Sequence, residues 1–280
     1  MEEKWDMVIT PSKSLFDIDI KGIWRYRDLY RMYVKRDIVT VYKQTILGPL
    51  WFFIQPVFTT IMYIVVFGGL AGISTDGVPQ AVFYMSGILF WNYFNACFTA
   101  SSTVFMTNAA VFGKVYFPRL VVPLSGLTSN LVKFAIQFVL WLGVYIYYVF
   151  TGVQMSVNWT IILFPLLIAM TALFAMSWGL IVTSLTTKYR DLNMLVTFGI
   201  QLFMYATPII YPLSAAPEKY RWLLQLNPLS SIFEFFRYSV TGAGVVDWMM
   251  LLYSAVCLVV SLFIGLVLFS KTERNFMDTI

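Results

Sequence analysis

Histidine is absent from this 280-residue chain, and charge is scarce. Without imidazole, His-based acid–base catalysis, His-ligated metal sites and the ordinary physiological pH switch are excluded. Cys97 and Cys257 are the only cysteines, and both fall in apolar stretches. They read as small buried hydrophobes, with no disulfide framework and no metal site. The pattern G-x-x-x-x-G-K-[ST] occurs nowhere, so the chain cannot build a P-loop. If ATP drives it, another polypeptide binds the ATP. Asp17-Ile18-Asp19 matches the D-x-D of sugar-nucleotide transferases, but it sits in a short polar tail with no nucleotide-binding domain around it. Intramembrane carboxylates are nearly missing too, with only Glu234 and the boundary residue Asp191 available, which argues against a proton-driven carrier. Charged residues make up 12% of the chain, where a soluble domain carries about 25%. Too few charges remain to cover a water-facing surface.

What is present is apolar sequence in long runs, 59% of all residues. A hydrocarbon core of about 30 Å needs about 20 apolar residues of helix. Six segments qualify, at about 46–71, 81–103, 119–150, 159–186, 192–211 and 246–269. The expected fold is an all-α integral membrane protein with six transmembrane helices. An even number of spans puts both termini on one side. Nine of the nineteen Lys and Arg residues precede Ile46, and fifteen fall on the N-terminal side of the membrane against three on the other. By the positive-inside rule both termini are cytoplasmic. The same clustering beside the first span argues for anionic membrane lipid or a protein partner, and against nucleic acid, as the contact of a chain with net charge +5. The expected organisation is a cytoplasmic tail and interface helix over residues 1–45, a transmembrane domain over 46–270 and a cytoplasmic tail over 271–280.

Two connecting segments stand out. Over 20–43, Tyr26, Leu29, Tyr30, Tyr33 and Val34 recur on one helical face, with Arg25, Asp28, Lys35, Arg36 and Lys43 on the other. Such a helix rests in the membrane interface. The segment 212–245 is longer than a turn requires and holds the apolar patches WLLQL and SSIFEFF with Pro212, Pro217 and Pro228. It predicts one or two short helices dipping back into the outer leaflet, with a plain external loop as the alternative. Between the second and third spans, TNAAVFGKVYFPR (107–119) has room for a helical turn or two, a suitable handle for a partner to push on.

Three polar stripes run along the spans. The first span carries Phe52, Gln55, Thr59 and Tyr63; the third carries Asn130, Lys133 and Gln137; the fifth carries Asn193, Thr197, Gln201 and Tyr205. Amides and aromatics together suit sugar, whose hydroxyls take hydrogen bonds and whose ring faces lie on aromatic side chains. Interhelical hydrogen bonding explains the same stripes nearly as well. Lys133, the one ionisable group deep in a span, either lines a hydrated path or snorkels from a packed face.

The runs KRDIVTVYKQTILGPLWFFIQP (35–56), SGILFWNYF (86–94) and NAAVFGKVYFPRLVVPLS (108–125), with KYRDL at 188–192 and NPLS at 227–230, resemble the membrane subunits of ABC-2-type polysaccharide exporters. Those are the permeases for O-antigen, capsule and teichoic-acid chains. The resemblance implies a bacterial cytoplasmic (inner) membrane protein that does no covalent chemistry. It implies a homodimer enclosing a channel, and two copies of a separate ABC ATPase that carry ATP and magnesium. The cargo it implies is a lipid-linked polysaccharide with an undecaprenyl pyrophosphate end. By the same analogy, Tyr26, Tyr30, Arg31, Lys114, Tyr116 and Arg119 belong to the ATPase-facing surface. Lys43, Arg119 and Arg190 are then candidates to meet the pyrophosphate. The alternatives are export of a small drug or lipid, a membrane-bound glycosyltransferase, or a flippase that works without ATP.

Overall fold

A computed structural model of the protein describes residues 20–43, 48–187, 189, 191–244 and 246–275. Among them every regular element is helical. Helices α1 (Ile20–Arg25) and α2 (Arg27–Lys43) lead to α3 (Trp51–Tyr63), which continues as a π-helix over Ile64–Leu70. Then come α4 (Gln80–Ser102), α5 (Val104–Phe112), α6 (Val121–Phe150), and α7 (Phe164–Thr186) behind a 3-10 turn at Trp159–Leu163. The chain ends with α8 (Leu192–Tyr205), α9 (Glu218–Gln225), α10 (Pro228–Thr241) and α11 (Trp248–Asn275).

Among the described residues four rods are long and apolar enough to cross a membrane: Trp51–Leu70, Val121–Phe150, Trp159–Thr186 and Trp248–Arg274. The chain is therefore a multi-pass membrane protein. The 30 residues of α6 rise about 45 Å, more than a hydrocarbon core requires. Helix α4 has spanning length but a more polar sequence, and the reason is its position. It runs through the middle of the molecule against α3, α6, α7 and α10, with residues from Val82 to Ser102 largely buried. Its surroundings are protein, so Ser86, Asn92 and Ser101 need not face hydrocarbon.

The fifth expected span differs from the sequence expectation of 192–211. Helix α8 stops at Tyr205, and its 14 residues reach about 21 Å. Pro208 disfavours helical backbone at Thr207. Thr207, Pro208, Ile209 and Ile210 are instead folded into the core. The segment 212–245 supplies two short helices, α9 and α10, as expected in number. The last helix runs past residue 270 to Asn275. Ile46, the expected entry of the first span, lies outside the described residues, and helix resumes at Trp51.

The core is aromatic. Phe90 of α4 meets Phe236 of α10 at 4.7 Å between ring centroids and Phe134 of α6 at 5.6 Å. Trp141 donates to the Val82 carbonyl at 3.2 Å, and the Tyr145 hydroxyl to the Val240 carbonyl at 2.8 Å, which fixes α6 against both neighbours. At the end away from α2, one buried cation organises three segments: α10, α4 and the stretch after α8. The Arg237 guanidinium donates to Glu234 Oε1 at 3.3 Å, to the Ile209 carbonyl at 2.9 Å and to Ser86 Oγ at 3.3 Å, and lies 3.8 Å from the Phe83 ring centroid. Gly87 makes room for it, since a Cβ there would come within 2.9 Å of Nη2. Glu234 also accepts from the Leu213 amide at 3.3 Å. Asp76, in left-handed backbone at φ 54°, takes the Ser214 hydroxyl at 2.6 and 2.8 Å and ties in the loop after the π-helix.

With Glu234 and Arg237 both 3–4% exposed, removing one leaves an uncompensated buried charge. Arg237→Ala is expected to cost about 3–5 kcal/mol, and the double replacement Glu234→Leu with Arg237→Met clearly less. Thermal unfolding of the detergent-solubilised protein measures the difference.

Candidate functional site

The three sequence stripes have different fates. In α6, Asn130 and Gln137 turn inward and are buried, and Asn92 of α4 donates to Gln137 Oε1 at 3.3 Å. These two amides join helices. Lys133 lies between them in sequence but is half-exposed, its ammonium 5.8 Å from the ring centroid of Phe52 on α3. The structure thus brings Phe52 and Lys133 together.

The stripes of α3 and α8 stay open. Gln55 and Gln201 are exposed and Tyr205 is 56% exposed. The two helices meet where the Tyr63 hydroxyl points at Met204 Sδ, 3.7 Å away. The hydroxyls of Thr59 and Thr197 donate to carbonyls one turn back in their own helices, Gln55 at 2.9 Å and Asn193 at 2.8 Å. They are already satisfied, which leaves Gln55, Gln201, Tyr63 and Tyr205 as the groups with capacity to spare. Asn193 turns toward Met106 of α5 at 3.8 Å. Around these polar groups, Phe58, Met62, Met194, Leu195 and Phe198 are more than half exposed. Each of the two helices therefore presents a mixed aromatic, amide and apolar face that this chain leaves uncovered.

At the other end, the sequence-expected apolar face of α2 packs against protein. Tyr30 hydrogen-bonds Thr128 of α6, and Tyr33 is buried with its ring 6.2 Å from that of Phe117. Between α2 and the α5–α6 connection lies a groove of about 520 Å3 lined by Tyr26, Leu29, Met32, Tyr33, Arg36, Val111, Val115 and Phe117. Arg36 sits 4.4 Å from the Tyr33 ring centroid and pairs with Asp37 at 2.7 Å. Arg31 is exposed with Asp28 at 3.4 Å; Lys114, Val115 and Tyr116 project outward beside the groove. The groove's apolar lining from Val111, Val115 and Phe117 escaped the sequence expectation, which weighed the charges of this connection. The available signal was the density of apolar residues in a segment that links two helices.

Arg119 differs from the other candidates. Its side chain is only 12% exposed and reaches the end of α11, donating to the Glu273 carbonyl at 2.7 Å beside the Glu273 carboxylate at 3.9 Å. The guanidinium also covers Phe112, 5.3 Å from the ring centroid, and Phe105 stacks on Phe269 at 4.9 Å. Burial pushes the Arg119 pKa down, and Glu273 opposes it. Arg119 thus clamps the α5–α6 connection to α11, an internal bond and not an outward contact. Lys43 is exposed, and Arg190 lies outside the described residues. Sequence reasoning also passed over Arg237 and Glu234 as a pair; opposite charges at i, i+3 inside SSIFEFFRYS were the signal.

The chain is thus a multi-helix membrane protein with open polar–aromatic helix faces and an apolar groove at one end. The chain belongs to the ABC-2 type transporter family, whose pattern matches residues 28–241. It is 29% identical over 255 residues to the O-antigen export system permease protein RfbA of Klebsiella pneumoniae, covering 90% of this chain and 94% of that one. The RfbA permease of Myxococcus xanthus is 25% identical over 264 residues, covering 93% and 98%. The polysialic acid transport protein KpsM of Escherichia coli is 22% identical over 249 residues, covering 87% and 93%.

Arg119→Ala is expected to cost about 2 kcal/mol, the worth of hydrogen bonds made by a charged group. It should also speed amide exchange at residues 269–275 while leaving α4 unchanged. Hydrogen-exchange mass spectrometry of the folded protein checks both regions.

Proposed function

We propose that this chain is the membrane-spanning permease of a polysaccharide ABC exporter, powered by a separate ATPase. The observation that carries this reading is near full-length similarity to three O-antigen or polysialic acid permeases, joined to an open face rich in amides and aromatics. Two copies pair through the uncovered faces of α3 and α8. Gln55, Tyr63, Gln201 and Tyr205 line the path between them, where amides bond sugar hydroxyls and aromatic faces carry sugar rings. Phe52 and Lys133 lie at the end of the path nearest α2. There the ammonium and exposed Lys43 suit the pyrophosphate of an undecaprenyl-linked glycan. ATP and magnesium are held by the partner.

In this reading the spans number six, counting α4 and α8 with the four longer rods, and both termini face the cytoplasm of a bacterial inner membrane. Helices α9 and α10 are re-entrant from the outer side. Two ATPase copies dock below, each in the groove between α2 and the α5–α6 connection, with Tyr26, Lys114, Val115 and Tyr116 at the contact. Arg119 then carries their motion into α11.

Replacing Gln201 with Lys, or Tyr63 with Trp, should lower surface polysaccharide in a strain that depends on this chain, with protein abundance and ATPase co-purification unchanged. Immunoblotting of the surface polymer reads the first effect; wild-type levels in both variants would sink the path assignment. Val115→Asp should instead abolish co-purification of the ATPase while the permease stays folded, because it places a charge in an apolar groove.

A further inference from the structure

The first spanning rod changes character half-way. After thirteen residues of α-helix it becomes π-helical over Ile64–Leu70, and the Ala71 amide bonds the Val66 carbonyl five residues back at 2.9 Å. Seven residues is long for a conformation that normally occurs as single-turn bulges, often at functional sites. The segment contains Gly68 and Gly69, and none of its residues is buried. At Gly68 the side chain of Gln80 rides directly on the backbone, since a Cβ there would lie 2.4 Å from Gln80 Oε1. One turn further along α4, the Tyr84 ring meets Tyr63, the residue that opens the π-helix, at 6.0 Å. Tyr84 is fully buried, yet its hydroxyl has no hydrogen-bond partner among the described residues. Buried hydroxyls are ordinarily paired, so an orphan calls for an explanation. The far flank is held: Asp76 of the loop beyond the π-helix takes the Ser214 hydroxyl, and the neighbouring Leu213 amide bonds Glu234 of α10.

We infer that Ile64–Leu70 is a register-shifting hinge. Closing the π-helix to α-helix turns the side chains beyond the shift by about 100° relative to α3, since one residue is one step of an α-helix. The shift re-aims Phe67 and Val66 across the end of the path opposite α2. In the shifted state the Tyr84 hydroxyl takes a carbonyl of the segment and the Gln80 amide takes another. Gln80 and Tyr84 are thus positioning residues for a gate formed by the first span. The inference deepens the export reading and rests on it for its purpose, though not for the motion itself.

The test uses the full chain with its ATPase in lipid nanodiscs, following amide exchange of residues 64–73 with ADP and with ATP plus vanadate. In the wild type, exchange there should differ by at least about threefold between the two, with residues 81–97 of α4 unchanged. Tyr84→Phe removes a hydroxyl that bonds nothing in this state, so its melting temperature should match or exceed wild type. Its nucleotide-dependent exchange should shrink, and export should fall about fivefold. Gly69→Ala fits here, the nearest atom to its Cβ being the Ile64 carbonyl oxygen at 3.7 Å. It should slow exchange of the segment and lower export by a similar factor, as loss of glycine stiffens the hinge. Absence of any nucleotide effect on residues 64–73 in the wild type overturns the hinge, as does a Tyr84→Phe variant that exchanges and exports like the wild type. Nucleotide-dependent exchange as expected, with surface polysaccharide unaffected by loss of the chain, leaves the hinge standing and overturns the export reading.

Discussion

Backbone amides and carbonyls removed from water must find partners within the protein, and the stretch from Ala206 to Ala216 meets that demand without being an α-helix. Helices α9 and α10 and their junction supply the partners. Asn227 donates to the Ala206 carbonyl at 3.1 Å and to the Thr207 hydroxyl at 2.9 Å, while accepting from the Leu229 amide at the start of α10. Arg237 takes the Ile209 carbonyl, Glu234 the Leu213 amide, and Arg221 the Ser214 and Ala216 carbonyls. Each irregular turn has a dedicated side chain. The charged pair could not survive burial without these bonds, and the stretch could not be buried without the pair.

That dependence divides the molecule into a fixed part and an open part. Helices α4, α6, α7, α10 and α11 share the aromatic core, and the Arg237 cluster ties α4 to α10. Helices α3 and α8 stand at the side with most of their surface uncovered. Asn92 and the buried amides Asn130 and Gln137 join α4 to α6 in the fixed part, while Gln55 and Gln201 stay exposed in the open part. At the opposite end, the Arg119–Glu273 contact joins the groove-bearing connection to α11, so a push on that connection enters the fixed core.

The long apolar rods, the face of the interface helix and the pair of short helices after Pro212 were legible because each follows from local periodicity and proline placement. The end of α8 was less so: 192–211 is apolar throughout, and only Pro208, whose effect falls on its neighbour's backbone, marks the stop. The polar stripes were visible as stripes. Asn130, Lys133 and Gln137 have the same helical spacing and identical standing in the sequence, yet two are glue and one is half-open. Periodicity fixes which residues share a face, and the neighbour that covers the face belongs to another helix.

Composition and charge placement by themselves determined that this is a membrane protein of apolar helices with a basic N-terminal segment. These are properties of residue type and order, because transfer from water to hydrocarbon is summed over a segment whatever it packs against. Tertiary structure alone decided that Arg119 clamps α11, that Arg237 and Glu234 bind three segments, and that a groove opens beside Val115. Such outcomes turn on a few ångströms between residues far apart in sequence, and the energy of a buried charge or amide depends on the one partner within reach.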